Sequence, residues 1–224
     1  MTITKLDNDK EINRFIGIPG HKGREIVKRL LLSSMLATSF AFSAHAATTE
    51  TTVTRENYGL AETQVIFTGY VKKIAAATDT NGVGVFWHVR KGADPKDRTI
   101  PRINFDTIYS WAIVDLKEDA TLTMPGTDGR YQSAWIISEE HYNPMVFEKP
   151  GVYSLTEKNV GTRYAAVVIR TQANAADPAD LSEANKLQDK VVLTQKDRGS
   201  YVASHSWNMD EILKMRAYYE KLAK

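Results

Sequence analysis

The sequence contains no cysteine. This absence excludes disulfide bonds, zinc sites built from thiolates, cysteine nucleophiles and lipid attachment to an N-terminal cysteine. An excess of either charge is also lacking: residues 1–46 hold seven of the 29 basic and four of the 27 acidic residues, which leaves 22 basic and 23 acidic residues in the remainder. A nearly neutral body has no long-range field to attract phosphates, so we do not expect nucleic acid as a partner.

Common catalytic motifs are also missing. The chain has no G-x-S-x-G elbow, no G-x-x-x-x-G-K phosphate loop and no H-E-x-x-H zinc motif. Only His88, His141 and His205 follow residue 46, and none of them lies two or four residues from another. We therefore predict no metal site and no cofactor.

No hydrophobic run is long enough to span a membrane. The longest, Leu30–Phe42, has 13 residues including Ser and Thr, short of the ~20 that a spanning helix needs. Lys28 and Arg29 precede this run and the small residues of Ala44-His45-Ala46 follow it, which is the pattern of a secretory signal peptide. We expect cleavage after Ala46 and a periplasmic or secreted protein with no stable membrane anchor; an uncleaved anchor is the alternative.

The polar leader of residues 1–26 is unusual ahead of a signal peptide, because it contains four acidic residues. We hypothesise that translation begins at Val27. The resulting division is a polar leader (1–26), a signal peptide (27–46) and one domain (47–224).

The domain is predicted to be α+β, with an antiparallel sheet or sandwich core. Apolar residues at helical spacing predict a first helix over residues 54–77, with Thr54 as N-cap, and a last one over 210–222; Pro178 after Asp177 predicts another over 178–189. Strands are expected in the runs VGVFWHV, TIYSWAIVDL, ATLTM, RYQSAWIIS, GVYSL and RYAAVVIRT. The turn PGTDG suggests that the second, third and fourth of these pair as a meander.

Polar residues at the start of the buried TIYSWAIVDL strand are the main candidates for a site. In an extended chain Asn104 and Asp106 point the same way, about 6.6 Å apart, whereas Tyr109 and Asp115 face the other side. In a meander, Arg130 would reach a carboxylate of the preceding strands. One interpretation is structural: Asp106 accepts backbone N–H bonds in a turn and Arg130 covers a strand end.

The other interpretation is a pocket in which Asn104, Asp106, Tyr109, Arg130 and Tyr131 bind a polar ligand. His88 would then join Asp106 as an acid/base pair if the protein were an enzyme. Core packing explains Trp87, Trp111 and Trp135 more simply than a sugar-binding platform does.

The run RINFDTIYSWAIVDL…TLTMPGTDGRYQSAWIIS resembles the bacterial family called domain of unknown function 1254. The resemblance rests on an N-x-D-T-x-Y-S motif, an Asp-Leu pair, a proline turn and an Arg-Tyr pair, here Asn104, Asp106, Thr107, Tyr109, Ser110, Asp115, Leu116, Pro125, Arg130 and Tyr131. FWHVR, PGVYSL and ANKLQDKVVLT extend it to roughly residues 55–222. Members of that family often carry a following β-rich domain of unknown function 1214. We expect a separate polypeptide to supply it; the alternative is that it is dispensable.

Three functions are therefore open. The first is an exported module that binds a ligand or a partner protein near Asn104, Asp106 and Arg130. The alternatives are a periplasmic hydrolase-like enzyme that uses Asp106 and His88, and a structural subunit of the cell envelope.

Overall fold

The structure, a computed structural model, describes residues 50–93 and 104–223. Its strands are β1 (Trp87–His88), β2 (Thr107–Asp115), β3 (Ala120–Met124), β4 (Gln132–Ser138), β5 (Met145–Phe147), β6 (Gly151–Leu155), β7 (Tyr164–Gln172) and β8 (Val192–Gln195). Its helices are α1 (Tyr58–Thr78), α2 (Glu157–Val160), α3 (Pro178–Asp189) and α4 (Met209–Leu222). The predicted α+β class is confirmed. The leader, the signal peptide and the Val27 start lie outside the described residues.

The strands form two antiparallel sheets that share one core. The larger has the order β1-β2-β7-β4-β5, and the smaller has the order β6-β3-β8. Alternate residues of the larger sheet, such as Ala112, Val167 and Ile136, pack with Leu122 of β3 and Leu155 of β6. Because apolar side chains alternate along each strand, these inner faces are buried against each other.

The opposite face of the larger sheet is covered by α1. Phe67, Val71 and Ile74 of this helix pack on Ile113 of β2 and Ala166 of β7. The buried positions of β2 and β7 therefore include both faces, as predicted for the TIYSWAIVDL run.

The predicted meander is wrong. Strand β2 pairs along all nine residues with β7, and β7 then pairs with β4, so β7 rather than β3 lies between β2 and β4. Strand β3 belongs to the smaller sheet. The physical reason is burial: β7 is the most continuously apolar strand and is covered on both sides only at the centre of the sheet.

Helix ends follow their capping residues. The Asp177 side chain accepts from the backbone N–H groups of Ala179 and Asp180, so α3 begins at Pro178 as predicted. Helix α1 begins at Tyr58 rather than near Thr54, because Thr54 and Asn57 bond to each other across a separate turn. Strands β5 and β8 were not predicted.

Across the part of the chain that the structure describes, no helix has the length and apolar composition of a membrane span.

Candidate functional site

Asn104 shapes the start of strand β2. Its side-chain oxygen accepts from the backbone N–H groups of Asp106 (2.8 Å) and Thr107 (3.2 Å), and its amide nitrogen donates to Thr107 Oγ1 (2.8 Å) and to the Tyr109 hydroxyl (3.0 Å). An asparagine amide has two donors and an oxygen with two lone pairs, so all its bonding capacity is used within the protein. Asn104 is therefore a positioning residue for the chain that carries Asp106.

The structure corrects the sequence interpretation of this turn. Asn104, not Asp106, accepts the backbone N–H bonds. The chain bends before β2 instead of continuing extended, so the Asn104 amide reaches Tyr109, which extended geometry had placed on the other side. Short polar side chains at turn positions often accept hydrogen bonds from backbone N–H groups two or three residues later. Asn104 accepts from the N–H groups at these two positions.

Asp106 lies where two cavities meet. Its backbone carbonyl accepts from the N–H of Ala173 (3.0 Å), which holds the chain against the end of β7. Its carboxylate is exposed and accepts no hydrogen bond from any residue within 50–93 or 104–223. The two cavities, here named the acidic cleft and the mixed cleft, have volumes of about 650 and about 380 Å³, and Asp106 lines both.

The acidic cleft places four carboxylates around one guanidinium. Its charged residues are Asp106, Asp128, Asp177, Asp180 and Arg130. Arg130 donates to both oxygens of Asp128 (2.9–3.1 Å) and to both of Asp180 (3.1 and 3.3 Å). It also donates to the Gln172 carbonyl (3.0 Å). Arg130 thus reaches carboxylates, but from its own turn and from α3 rather than from preceding strands as predicted.

These bonds fix the ionisation of the cleft. The hydrogen bonds from Arg130 hold the pKa of Asp128 below its usual range. The backbone N–H of Asn174, followed by Arg130, lowers the pKa of Asp180 in the same way. Asp177 is engaged in capping α3, so Asp106 is the carboxylate of this cleft with no partner among the described residues. The excess of negative charge favours a cationic ligand group.

The mixed cleft has a different chemistry. Its walls include the exposed rings of Phe105 and Tyr131, and its charged side chains are Asp106 and Arg170. Tyr131 is held by its backbone N–H, which donates to Gln172 Oε1 (2.9 Å), and by its hydroxyl, which donates to Glu148 (3.2 Å).

Sequence reasoning missed Arg170 and the aspartates of α3. Arg170 lies within the apolar run YAAVVIRTQ, and a charged residue in a strand buried on both faces is a signal that was available. Asp180 and Asp177 reach the site only because β7 lies beside β2, which the expected meander did not allow.

The structure leaves His88 outside both clefts. Its Nδ1 lies 2.8 Å from Ser110 Oγ, which also accepts from Gln188 (3.1 Å). Ser110 follows Tyr109 on β2, so the two side chains point to opposite faces of the sheet. Burial, together with the charge of Arg90, lowers the pKa of His88 and favours its neutral form. Asp106 and Arg130 share a cavity, but His88 does not join them.

The tryptophans of the sheet lie on the α1 face. Trp87, Trp111 and Trp135 are each half-buried, and Trp111 stacks on Tyr70 of α1 with ring centroids 4.2 Å apart. None of the three is among the exposed large side chains of the described chain, which matches the packing role predicted for them.

No group of three His, Cys, Asp or Glu side chains within residues 50–93 and 104–223 is arranged to hold a metal ion.

Comparison with known proteins finds a family similar to one segment of the chain. Residues 83–143 match the family described as "Protein of unknown function (DUF1254)". This segment contains every residue predicted for the site, although it is shorter than the resemblance expected over residues 55–222. No curated protein matches the chain.

A solved structure, that of the VPA0106 protein from Vibrio parahaemolyticus, is similar over 65% of this chain, with 17% identity and a TM-score of 0.47. The chain spans 39% of that protein's length. Residues 83–143 are therefore similar to the DUF1254 family of proteins of unknown function.

Proposed function

We propose that the protein is an exported binding module that holds a ligand with a cationic amine group at Asp106. The observation that carries this proposal is the Asp106 carboxylate: it lines two clefts and has no bonding partner among the described residues, whereas Asp128, Asp177 and Asp180 are all engaged. An ammonium group would supply up to three donors to this unused acceptor. The neighbouring carboxylates would add attraction at longer range.

Binding agrees with the geometry better than hydrolysis does. Hydrolysis by the predicted pair needs a proton to pass between Asp106, His88 and a substrate within hydrogen-bond reach. His88 lines neither cleft and is bonded to Ser110 on the other face of β2. A binding role requires only Asp106 and the walls of the clefts.

Export is proposed from the sequence of residues 27–46, whose basic start, apolar run and small residues follow the signal peptide pattern. Its test is the N-terminal peptide of the protein recovered from the periplasm. That peptide should begin at Ala47, and a peptide containing any of residues 27–46 would contradict cleavage after Ala46.

The binding proposal is tested with phenethylamine, because it joins one ammonium group to a ring that can contact Phe105 and Tyr131. Titration should be saturable, and Asp106→Asn should weaken the affinity at least about fivefold, the value of one exposed charge-assisted contact near 1 kcal/mol. Asp119→Asn is the matched control, since it removes the same charge from an exposed position that lines neither cleft. Equal affinity in the two variants would contradict the proposal.

A specific surface favours a second function, docking of a partner protein. On the outer face of the smaller sheet, Val152 and Val192 flank Thr123 and are 71% and 47% exposed. Apolar side chains that are adjacent on a sheet face and exposed often mark an interaction surface. The proposed partner is the separate polypeptide with a domain of unknown function 1214.

This second proposal is tested by sedimentation of the protein mixed with a purified domain of that kind. A complex should form and should be lost in Val152→Lys. Val202→Lys, at another exposed valine, should leave the complex intact. Loss of the complex in both variants, or in neither, would argue against docking on this face.

A further inference from the structure

Arg170, at the centre of the larger sheet, is a cation with no counterion among residues 50–93 and 104–223. In β7 it lies directly between Tyr109 of β2 and Ser133 of β4. Its guanidinium lies near two rings: the guanidinium carbon is 6.0 Å from the centroid of Tyr109 and 5.4 Å from that of Trp135. No carboxylate or carbonyl within the described residues pairs with it. Cation–π contacts offset part of the cost of removing the charge from water, but they supply no hydrogen-bond acceptor for its N–H groups within the described part of the chain.

A second, independent group beside Arg170 is also unpartnered. The Ser133 hydroxyl is fully buried and makes no hydrogen bond, and Arg170 Nε is buried and unbonded as well. Residues opposite each other on paired strands have side chains on the same face, a few ångströms apart. Buried donors without an acceptor are rare in native proteins and each costs about 1–3 kcal/mol. Arg170 thus lies beside a second unsatisfied polar group, and of the two residues it is Arg170 that lines the mixed cleft, where an anionic ligand group would supply acceptors for its guanidinium.

The mixed cleft also contains the opposite charge. Asp106 and Arg170 both line it, yet they form no ion pair with each other, and neither pairs with another described residue. Opposite charges in one small cleft normally pair directly unless their backbones hold them apart. Asp106 is held by the Asn104 turn and by the Ala173 N–H, and Arg170 is held by β-pairing on both sides.

We propose that the mixed cleft binds a zwitterionic amino acid or a related small aminocarboxylate, with its carboxylate at Arg170 and its ammonium group at Asp106. The inference rests on the proposed function, because the ammonium end uses the same Asp106. The volume of about 380 Å³ suits a ligand of this size, and the exposed rings of Phe105 and Tyr131 suit an aromatic or apolar side chain.

The experiment compares three ligands of matched shape on the unmodified protein by NMR titration. They are L-phenylalanine, which carries both charges, phenethylamine, which lacks the carboxylate, and 3-phenylpropionate, which lacks the ammonium group. L-phenylalanine should bind at least about tenfold more tightly than either of the others, because one charge-assisted contact in a partly buried site changes the affinity by about this factor. This comparison requires no variant, so a folding defect cannot obscure it.

Arg170→Gln locates the carboxylate. In this variant the advantage of L-phenylalanine over phenethylamine should disappear, while the affinity for phenethylamine stays the same or increases. Arg55→Gln is the matched control, because Arg55 also lies over a tyrosine ring, that of Tyr218, and lines neither cleft. It should keep the full advantage of L-phenylalanine.

The outcomes separate this inference from the proposed function. If phenethylamine binds through Asp106 but L-phenylalanine binds no more tightly, the zwitterion inference is overturned and the amine-binding proposal stands. If 3-phenylpropionate binds through Arg170 and phenethylamine does not bind, both the zwitterion inference and the amine-binding proposal are overturned. An advantage of L-phenylalanine that survives in Arg170→Gln also overturns the inference.

Discussion

Replacing Asp115 with asparagine should destabilise the protein by about 2–3 kcal/mol. The Asp115 side chain is 1% exposed, and Arg163 donates to both of its oxygens at 2.8 Å. The backbone N–H of Lys117 adds a third bond (3.1 Å). Breaking a fully buried pair costs about 3–5 kcal/mol. Arg163 is 45% exposed and can regain water, which reduces the expected cost.

The effect should depend on pH in a defined direction. Burial raises the pKa of Asp115, but the hydrogen bonds from Arg163 and from Lys117 outweigh burial, so the net shift is downward. A carboxyl group with a lowered pKa in the folded state contributes stability above its unfolded pKa of about 3.9 and loses it as the pH falls. The difference between wild type and Asp115→Asn should therefore be full at pH 7 and should shrink below about pH 4.

The assay is urea unfolding followed by tryptophan fluorescence, in a cycle of Asp115→Asn, Arg163→Gln and the double variant. With an m-value of about 2 kcal/mol/M, the loss corresponds to a midpoint shift of about 1 M. The coupling energy between the two positions should be about 1.5–3 kcal/mol. A coupling below about 0.5 kcal/mol, or a loss at pH 3 equal to that at pH 7, would refute the reasoning.

Three further predictions concern stability. Gly199→Ala should cost about 2 kcal/mol or more in urea unfolding, because Gly199 has φ +66° and an added methyl group would collide with the Asp115 carboxylate; a neutral result would contradict this. Burial lowers the pKa of Lys73 to about 8, so between pH 8 and 10 the folded state binds fewer protons than the unfolded state. The free energy of unfolding should therefore rise over this range in the wild type, and this rise should be absent in Lys73→Met. Burial raises the pKa of Glu139, so Glu139→Gln should raise the melting temperature at pH 7 and have little effect at pH 4; an equal shift at both values would count against it.

Local features of the fold could be predicted from the sequence. The spacing of Phe67, Val71 and Ile74 identified the buried face of α1, and Asp177 before Pro178 identified the start of α3. These signals act over one or two helical turns, where capping and side-chain spacing decide the structure.

Strand order could not be predicted in the same way. Turn chemistry favoured pairing of strands that are neighbours in sequence. Instead β7 pairs with β2, because the apolar residues of β7 are buried on both faces only at the centre of the sheet. This preference is a property of the whole core and is absent from any short window of sequence. The error carried over to the site, since Arg130 was expected to reach a carboxylate of the preceding strands, whereas its partners are Asp128 of its own turn and Asp180 of α3.

The candidate site was therefore predicted in part. Asp106 could be singled out because it is a carboxylate at the start of a buried strand. The role of Asn104 could not, because it depends on a bend in the chain, and alternation of side chains along an extended strand does not predict that bend. Arg170 has a signal in the sequence, since a single charge within an apolar run is costly to bury, but the sequence does not show which cavity it faces.

The central claim is that Asp106 anchors an amine, and chemical-shift mapping tests it most directly. During titration of the wild-type protein with phenethylamine, the backbone amide signals of Phe105, Asp106 and Thr107 should move saturably, and in Asp106→Asn they should reach half-saturation only at an at least about fivefold higher ligand concentration. Half-saturation at an unchanged ligand concentration in Asp106→Asn, or shifts that arise only at residues outside the two clefts, would contradict the claim.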